Sequence, residues 1–308
     1  MKKSDFSWAL VLSGGGAKGL AHIGVLKGLE KAGFPKPAMV VGTSMGAIVG
    51  GLYACGMPPE KMARFAIDEF DIGDYLESPV FKINGPVGKV MQTGQALASL
   101  ATRPGIDAGQ RLLNLLEQLT DGKNFSETEI PFRCNAMDLV SGKEVVFSSG
   151  SVARAMRASM SFPVFFEPLM EGGMCLVDGG LLDNMPVAIA RKEGFSHILA
   201  VNVFRFVLQG VKDFKNAPQI VFRSLECSLN AAEERKMPAD LTLNVADDAT
   251  PFSFYKQKEL IRLGEKTVKE SMEVIETFFT ARRSFDVRKL IPGKERKENP
   301  NEETGKEY

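Results

Sequence analysis

Three short stretches place polar residues where glycine lets the backbone turn tightly: "LSGGGAKG" (12–19), "GTSMG" (42–46) and "VDGG" (177–180). In the first, Gly14, Gly16 and Gly19 spell G-x-G-x-x-G after a short apolar run. That pattern suits two chemistries. It can cradle the phosphates of a dinucleotide, or it can present bare backbone N–H groups to a developing oxyanion. The dinucleotide reading requires an acidic residue at the end of the second strand, about 20 residues past the glycines. That strand ends Val40-Val41-Gly42-Thr43-Ser44, with no acid. A Walker-type phosphate loop fails as well, because Gly19 rather than Ser or Thr follows Lys18.

The same strand end carries Gly42-x-Ser44-x-Gly46, a nucleophile elbow in the strand–turn–helix setting that the motif requires. The bland alternative is a structural turn. Gly42 and Gly46 let the chain turn sharply, and Ser44 stands at a helix start, where partial positive charge favours an alkoxide. Both glycine loops follow strands of one parallel sheet. Gly14, Gly15 and Gly16 therefore come beside Ser44 and read as an oxyanion hole. Lys18 is either a solvated helix residue or a positive charge next to that hole.

A serine hydroxyl needs a base, and three residues compete. The order Ser44, Asp178, His197 is that of an α/β-hydrolase triad. His197, however, opens the strand "HILAVNVF", which puts it at the opposite sheet edge, about 17–20 Å from Ser44. His22 sits among Leu20, Ile23 and Leu26 and reads as a packing or capping residue. Asp178 ends the strand "MCLV" and is followed by Gly179 and Gly180. On a strand parallel to the others it shares the edge of Ser44. Read alone, it is a plain Asp-Gly turn.

The positioning elements follow from periodicity. Strands are expected at 8–12, 38–41, 174–177, 197–204 and 241–245, with a pair around the Ser141-Gly142 turn in 131–150. Helices are expected at 17–31, 45–53, 58–70, 108–120 and 152–159, and one long helix at 254–279. Alternating strands and helices argue for an α/β fold with a parallel sheet. Residues 71–106 break the rhythm and read as a surface insertion or as a lid over the site. Residues 1–290 are expected to form one hydrolase domain, and 291–308 a polar, disordered tail.

Composition excludes several classes. The 308 residues carry 38 basic and 38 acidic side chains, so no net charge draws the chain to nucleic acid. The four cysteines, Cys55, Cys134, Cys175 and Cys227, are scattered without a C-x-x-C pair, so neither a zinc site nor any other metal is expected. The apolar run Trp8–Leu12 is too short for a signal peptide, and no run approaches a membrane span. The expectation is a cytoplasmic protein.

Together GGGAKG, GTSMG and DGG, with "RASMSFPVFFEP" (157–168) and "DGGLLDNMP" (178–186), resemble the signatures of the patatin-like phospholipase family. The resemblance spans roughly residues 8–205. It implies a three-layer α/β/α sandwich with a mostly parallel central sheet, and a Ser–Asp dyad without a catalytic histidine. Carried over, Ser44 is the nucleophile, Asp178 the base, and Gly14, Gly15 and Gly16 the oxyanion hole. Lys18 stands where the family often has arginine, and Gly19, Gly42, Gly46, Gly179 and Gly180 support the loops. The implied activity is metal- and cofactor-independent hydrolysis of lipid acyl esters, with the substrate met at a membrane surface, at the inner face. A catalytically idle lipid-binding protein is the non-enzymatic alternative.

Overall fold

The structure, a computed structural model, describes residues 7–76, 104–204, 206, 208–211, 214, 217–233, 236–245 and 253–280. The chain begins with β1 (Ala9–Leu12), a 3-10 turn (Gly16–Leu20), α1 (Ala21–Lys31), β2 (Met39–Gly42) and α2 (Met45–Ala54). Next, α3 (Pro59–Arg64) runs into a π-helical turn (Phe65–Glu69), and α4 (Ile72–Tyr75) follows. Then come β3 (Gly105–Asp107), α5 (Gln110–Leu119), β4 (Phe132–Asp138), β5 (Lys143–Phe147) and α6 (Val152–Ser159). Three short strands follow, β6 (Val164–Phe166), β7 (Leu169–Glu171) and β8 (Met174–Asp178). The last elements are α7 (Val187–Lys192), β9 (Ile198–Asn202), α8 (Ala217–Glu233), β10 (Leu241–Asn244), α9 (Gln257–Glu270) and α10 (Met272–Thr280).

Strand alternation divides the core between two faces of one sheet. Leu10, Leu12, Val40, Leu199 and Val201 point to one face, where they pack with residues of α1, α2, α5 and α9. Ala9, Val11, Val41, Ile198 and Ala200 point to the other and pack with Val187, Ile189 and Ala190 of α7. The result is the expected α/β/α sandwich, with a thick helical layer and a thin one. Leu10, Leu12, Ile198 and Leu199 are fully buried, each contributing roughly 1.5–3 kcal/mol by leaving water.

The sheet order is β10-β9-β1-β2-β4-β8-β7, with β5 also paired to β4. The block β10-β9-β1-β2-β4 is parallel. β8 corrects the parallel placement expected for the Asp178 strand, since it runs antiparallel to β4 and to β7. Gly172 (φ 56°) and Gly173 (φ 80°) form the turn between β7 and β8. Two consecutive left-handed residues make the tight hairpin turn that sends β8 back along β7.

This reversal still delivers Asp178 to the site. Along one side of β4, β5 pairs with Cys134–Asp138. On the other side β2 takes Phe132–Cys134 and β8 takes Ala136–Asp138. The two strands thus lie end to end, and their carboxyl termini meet opposite Asn135.

Two further expectations are adjusted. The helix expected from Ala17 begins as the 3-10 turn and becomes α-helical only at Ala21. The single helix expected over 254–279 is a 3-10 turn (Phe254–Lys256) followed by α9 and α10, which divide at Ser271. Helix α8 was not anticipated. Of the proposed insertion 71–106, residues 77–103 lie outside the described residues, as does the tail 291–308.

Candidate active site

The elbow is built by backbone crowding. A Cβ on Gly46 would lie 2.3 Å from the Leu12 carbonyl oxygen, and one on Gly42 would lie 2.3 Å from the Gly46 carbonyl oxygen. Only glycine lets β1, β2 and the start of α2 approach so closely. Ser44, between them, adopts φ 53° and ψ −122°, a strained conformation for a residue with a side chain. Its N–H donates to the buried Ser159 Oγ at 2.9 Å, and its carbonyl accepts from the Ile48 N–H at 3.1 Å. The side chain makes no capping bond to α2.

The Ser44 side chain lines the same cavity as Asp178, near enough for its hydroxyl to hold the Asp178 pKa down. Asp178 is 3% exposed, and its Oδ1 accepts from the Gly180 N–H at 2.8 Å. Burial pushes its pKa up to about 6, against the pull of the Gly180 N–H and the nearby Ser44 hydroxyl.

The glycine loop divides its tasks. Gly14 N–H donates to the Asn184 carbonyl at 3.1 Å, so it is already engaged. Gly15 and Gly16 lie on the wall of a cavity of about 1410 Å³, together with Ser44 and Asp178. Beyond this polar corner the wall is chiefly apolar, with Ile23, Ile48, Leu52, Met62, Leu112 and Leu116 among its residues. Lys18 is buried in the 3-10 turn rather than solvated.

Neither histidine reaches this corner. Fully buried His22 donates from Nε2 to the Ser13 carbonyl at 2.8 Å, the packing and capping role expected for it. Burial lowers its pKa to about 4, so it is neutral at physiological pH. The His197 carbonyl accepts from the Ala9 N–H at 2.9 Å, at the amino-terminal edge of the sheet. Five residues of β9 separate it from the edge that carries Ser44, roughly 16 Å at about 3.3 Å per residue.

Sequence reasoning passed over Ser159, Asn184 and Asn135. Ser159 and Asn184 lie inside the quoted stretches at 157–168 and 178–186. Their roles are hydrogen bonds across more than a hundred residues, which local spacing cannot reveal.

A family model described as patatin-like phospholipase matches residues 10–191. Lysophospholipase NTE1 of Kluyveromyces lactis is 31% identical over 198 residues, covering 63% of this chain and 12% of the relative. Patatin-like phospholipase domain-containing protein 6 of Homo sapiens is 32% identical over 197 residues, covering 63% of this chain and 13% of the relative. The chain thus spans about an eighth of the length of these curated relatives. Among solved structures, VipD from Legionella pneumophila aligns with a TM-score of 0.47 and 17% identity, over 87% of this chain and 67% of that one.

Proposed function

The chain belongs to the patatin-like phospholipase family, and on that premise we propose that it is a serine acyl hydrolase of lipid carboxylic esters, of phospholipase A, lysophospholipase or esterase type. One observation carries the reading. Ser44 and a buried Asp178 share the polar corner of a large apolar cavity, beside Gly15 and Gly16.

In this reading Asp178 takes the Ser44 proton as Oγ attacks the ester carbonyl carbon. The carbonyl electron pair moves onto oxygen, where the N–H groups of Gly15 and Gly16 receive it. Gly14 holds the loop. Collapse of the tetrahedral species expels the alcohol, which takes the proton from Asp178 and leaves an acyl-Ser44. Water then repeats the sequence, with Asp178 again taking and returning the proton, and releases the fatty acid. An aspartate shifted to about 6 suits the work. It is mostly ionised at neutral pH, yet more basic than an ordinary carboxylate.

The apolar wall suits an acyl chain, which agrees with the lysophospholipase name of the Kluyveromyces lactis relative. No helix among the described residues is long and apolar enough to cross a membrane. Substrate is taken from a lipid surface at the cavity mouth, where the wall residue Tyr255 is 79% exposed.

A long-chain fluorophosphonate tests the assignment. Intact-protein mass spectrometry should show one adduct, mapped to Ser44 and absent from Ser44→Ala. That variant should lose at least a thousandfold in hydrolysis of short-chain p-nitrophenyl esters and keep its melting temperature. An adduct elsewhere, or activity retained in Ser44→Ala, removes Ser44 from the mechanism.

A further inference from the structure

We propose that Asn135 is a positioning residue that sets the separation of Ser44 and Asp178 by tying together the two loops that carry them. This rests on the Ser44–Asp178 reading above and deepens it.

The need for such a residue comes from the topology. Ser44 follows β2 and Asp178 ends β8, and the two strands approach from opposite directions. No ladder hydrogen bonds join two strand ends that meet head-on. Along that side of β4 the register leaves one residue unpaired, Asn135, between Cys134 of the β2 register and Ala136 of the β8 register. Any relative drift of the two ends changes the Ser44–Asp178 distance directly.

The Asn135 side chain spans this junction. It is fully buried. Its Oδ1 accepts from Thr43 Oγ1 at 2.8 Å, one residue before Ser44. Its Nδ2 donates to the Asp183 carbonyl at 2.9 Å, in the loop after Asp178, and to Glu144 Oε1 at 2.9 Å. Thr43 Oγ1 also lies 3.1 Å from the same Asp183 carbonyl, closing a triangle. The amide orientation is fixed, because a flip would set Oδ1 against a carbonyl and a carboxylate. The Asp178 loop also rests on this residue: a Cβ on Gly179 would lie 2.5 Å from both the carbonyl oxygen and Oδ1 of Asn135. Asn135 is therefore tied to both loops without reaching the cavity wall.

A displacement of about 1 Å at reacting groups costs on the order of a hundredfold in rate. Asn135→Leu, near in size but without polar atoms, should lower kcat about 10- to 100-fold. KM for a short-chain ester should stay within about twofold, because the cavity wall is untouched. Asn135→Leu takes the Nδ2 donor from the Asp183 carbonyl and from Glu144 and could fail to fold, so Thr43→Val provides a second route. It should lower kcat in the same way, and Thr43→Ser should restore it. Fluorophosphonate labelling rates, normalised to folded protein, should fall with kcat. If the variants lose melting temperature but keep kcat per titrated site, Asn135 is merely structural and the inference falls. Ser44→Ala assayed alongside keeps the two readings apart. A dead Ser44→Ala with unimpaired Asn135→Leu rejects the positioning role alone, whereas an active Ser44→Ala rejects the dyad itself.

Discussion

Gly14 and Asn184 clasp each other: the Gly14 N–H donates to the Asn184 carbonyl at 3.1 Å, and Asn184 Nδ2 donates back to the Gly14 carbonyl at 3.4 Å. The loop after β1 is thereby fixed to the loop after β8, although 170 residues separate the partners. A Cβ on Gly14 would lie 2.5 Å from Asn184 Oδ1 and 3.1 Å from Ser44 Cβ. Gly14→Ala should therefore lower turnover by about a hundredfold, through displacement of the groups around Ser44. Asn184→Ala alone loses one ordinary hydrogen bond, roughly 1 kcal/mol, or about fivefold. In the double variant the closer clash is gone, so it should turn over faster than Gly14→Ala. Hydrolysis of p-nitrophenyl butyrate per titrated site decides this. A double variant slower than Gly14→Ala would show that the steric account is wrong.

On the proposed reading, Asp178 sets the acid limb of the pH profile. Its pKa is pushed up to about 6 by burial, and a base acts only when ionised. Thus kcat/KM should rise about tenfold per pH unit below 6 and level off above it. A limb near 4, the ordinary carboxylate value, would mean that Asp178 is better solvated than its burial implies.

The same shift makes Asp178 a burden on stability. Its pKa rises from 3.8 to about 6 on folding, so the ionised form is disfavoured in the folded state. The sign follows by linkage. The cost is absent below pH 3.8, grows between 3.8 and 6, and is complete above 6, at roughly 3 kcal/mol. Asp178→Asn should therefore be inactive yet more resistant to urea than the wild type at pH 8, and its advantage should shrink at pH 5. An equal or lower urea midpoint at pH 8 would contradict the burial effect.

His22 acts in the opposite sense. Burial lowers its pKa from 6.5 to about 4, so folding disfavours its charged form. Stability is intact above pH 6.5 and falls as pH drops toward 4, again by roughly 3 kcal/mol. Replacing His22 with Phe should flatten this decline in thermal melts, whatever it costs in packing. Turnover per folded molecule should stay within a fewfold of wild type, as it should in His197→Ala. A collapse of turnover in His197→Ala with the fold intact would restore the triad.

What the sequence disclosed was local. The strand–turn–helix around Ser44 is encoded in five consecutive residues, and the glycine loop in a few more, so both were legible. Strand direction at Asp178 is not a property of "MCLV", and the expectation there failed. The cue lay upstream, in the Gly172-Gly173 pair that forces a hairpin. β6 and β7, at three residues each, are too short to show alternation. The Asn135 and Ser159 contacts join residues 92 and 115 apart, and only the folded chain brings them together. The break at Ser271 was hidden because apolar residues recur at helical spacing on both sides of it.

The head-on meeting of β2 and β8 also bears on biosynthesis. Ser44 can be seated as soon as β1, β2 and α2 have formed, but its partner arrives 134 positions later, on a strand that docks only after β4 has formed. The loop that bears Gly15 waits longer still, since the Ser13 hydroxyl accepts from the Val203 N–H at 3.0 Å. Contacts of such high sequence separation are closed late, because their loop entropy must be overcome first. A nascent chain on the ribosome therefore carries a complete elbow and no working pair. On the proposed reading, it cannot attack lipids before the residues through Val203 have emerged.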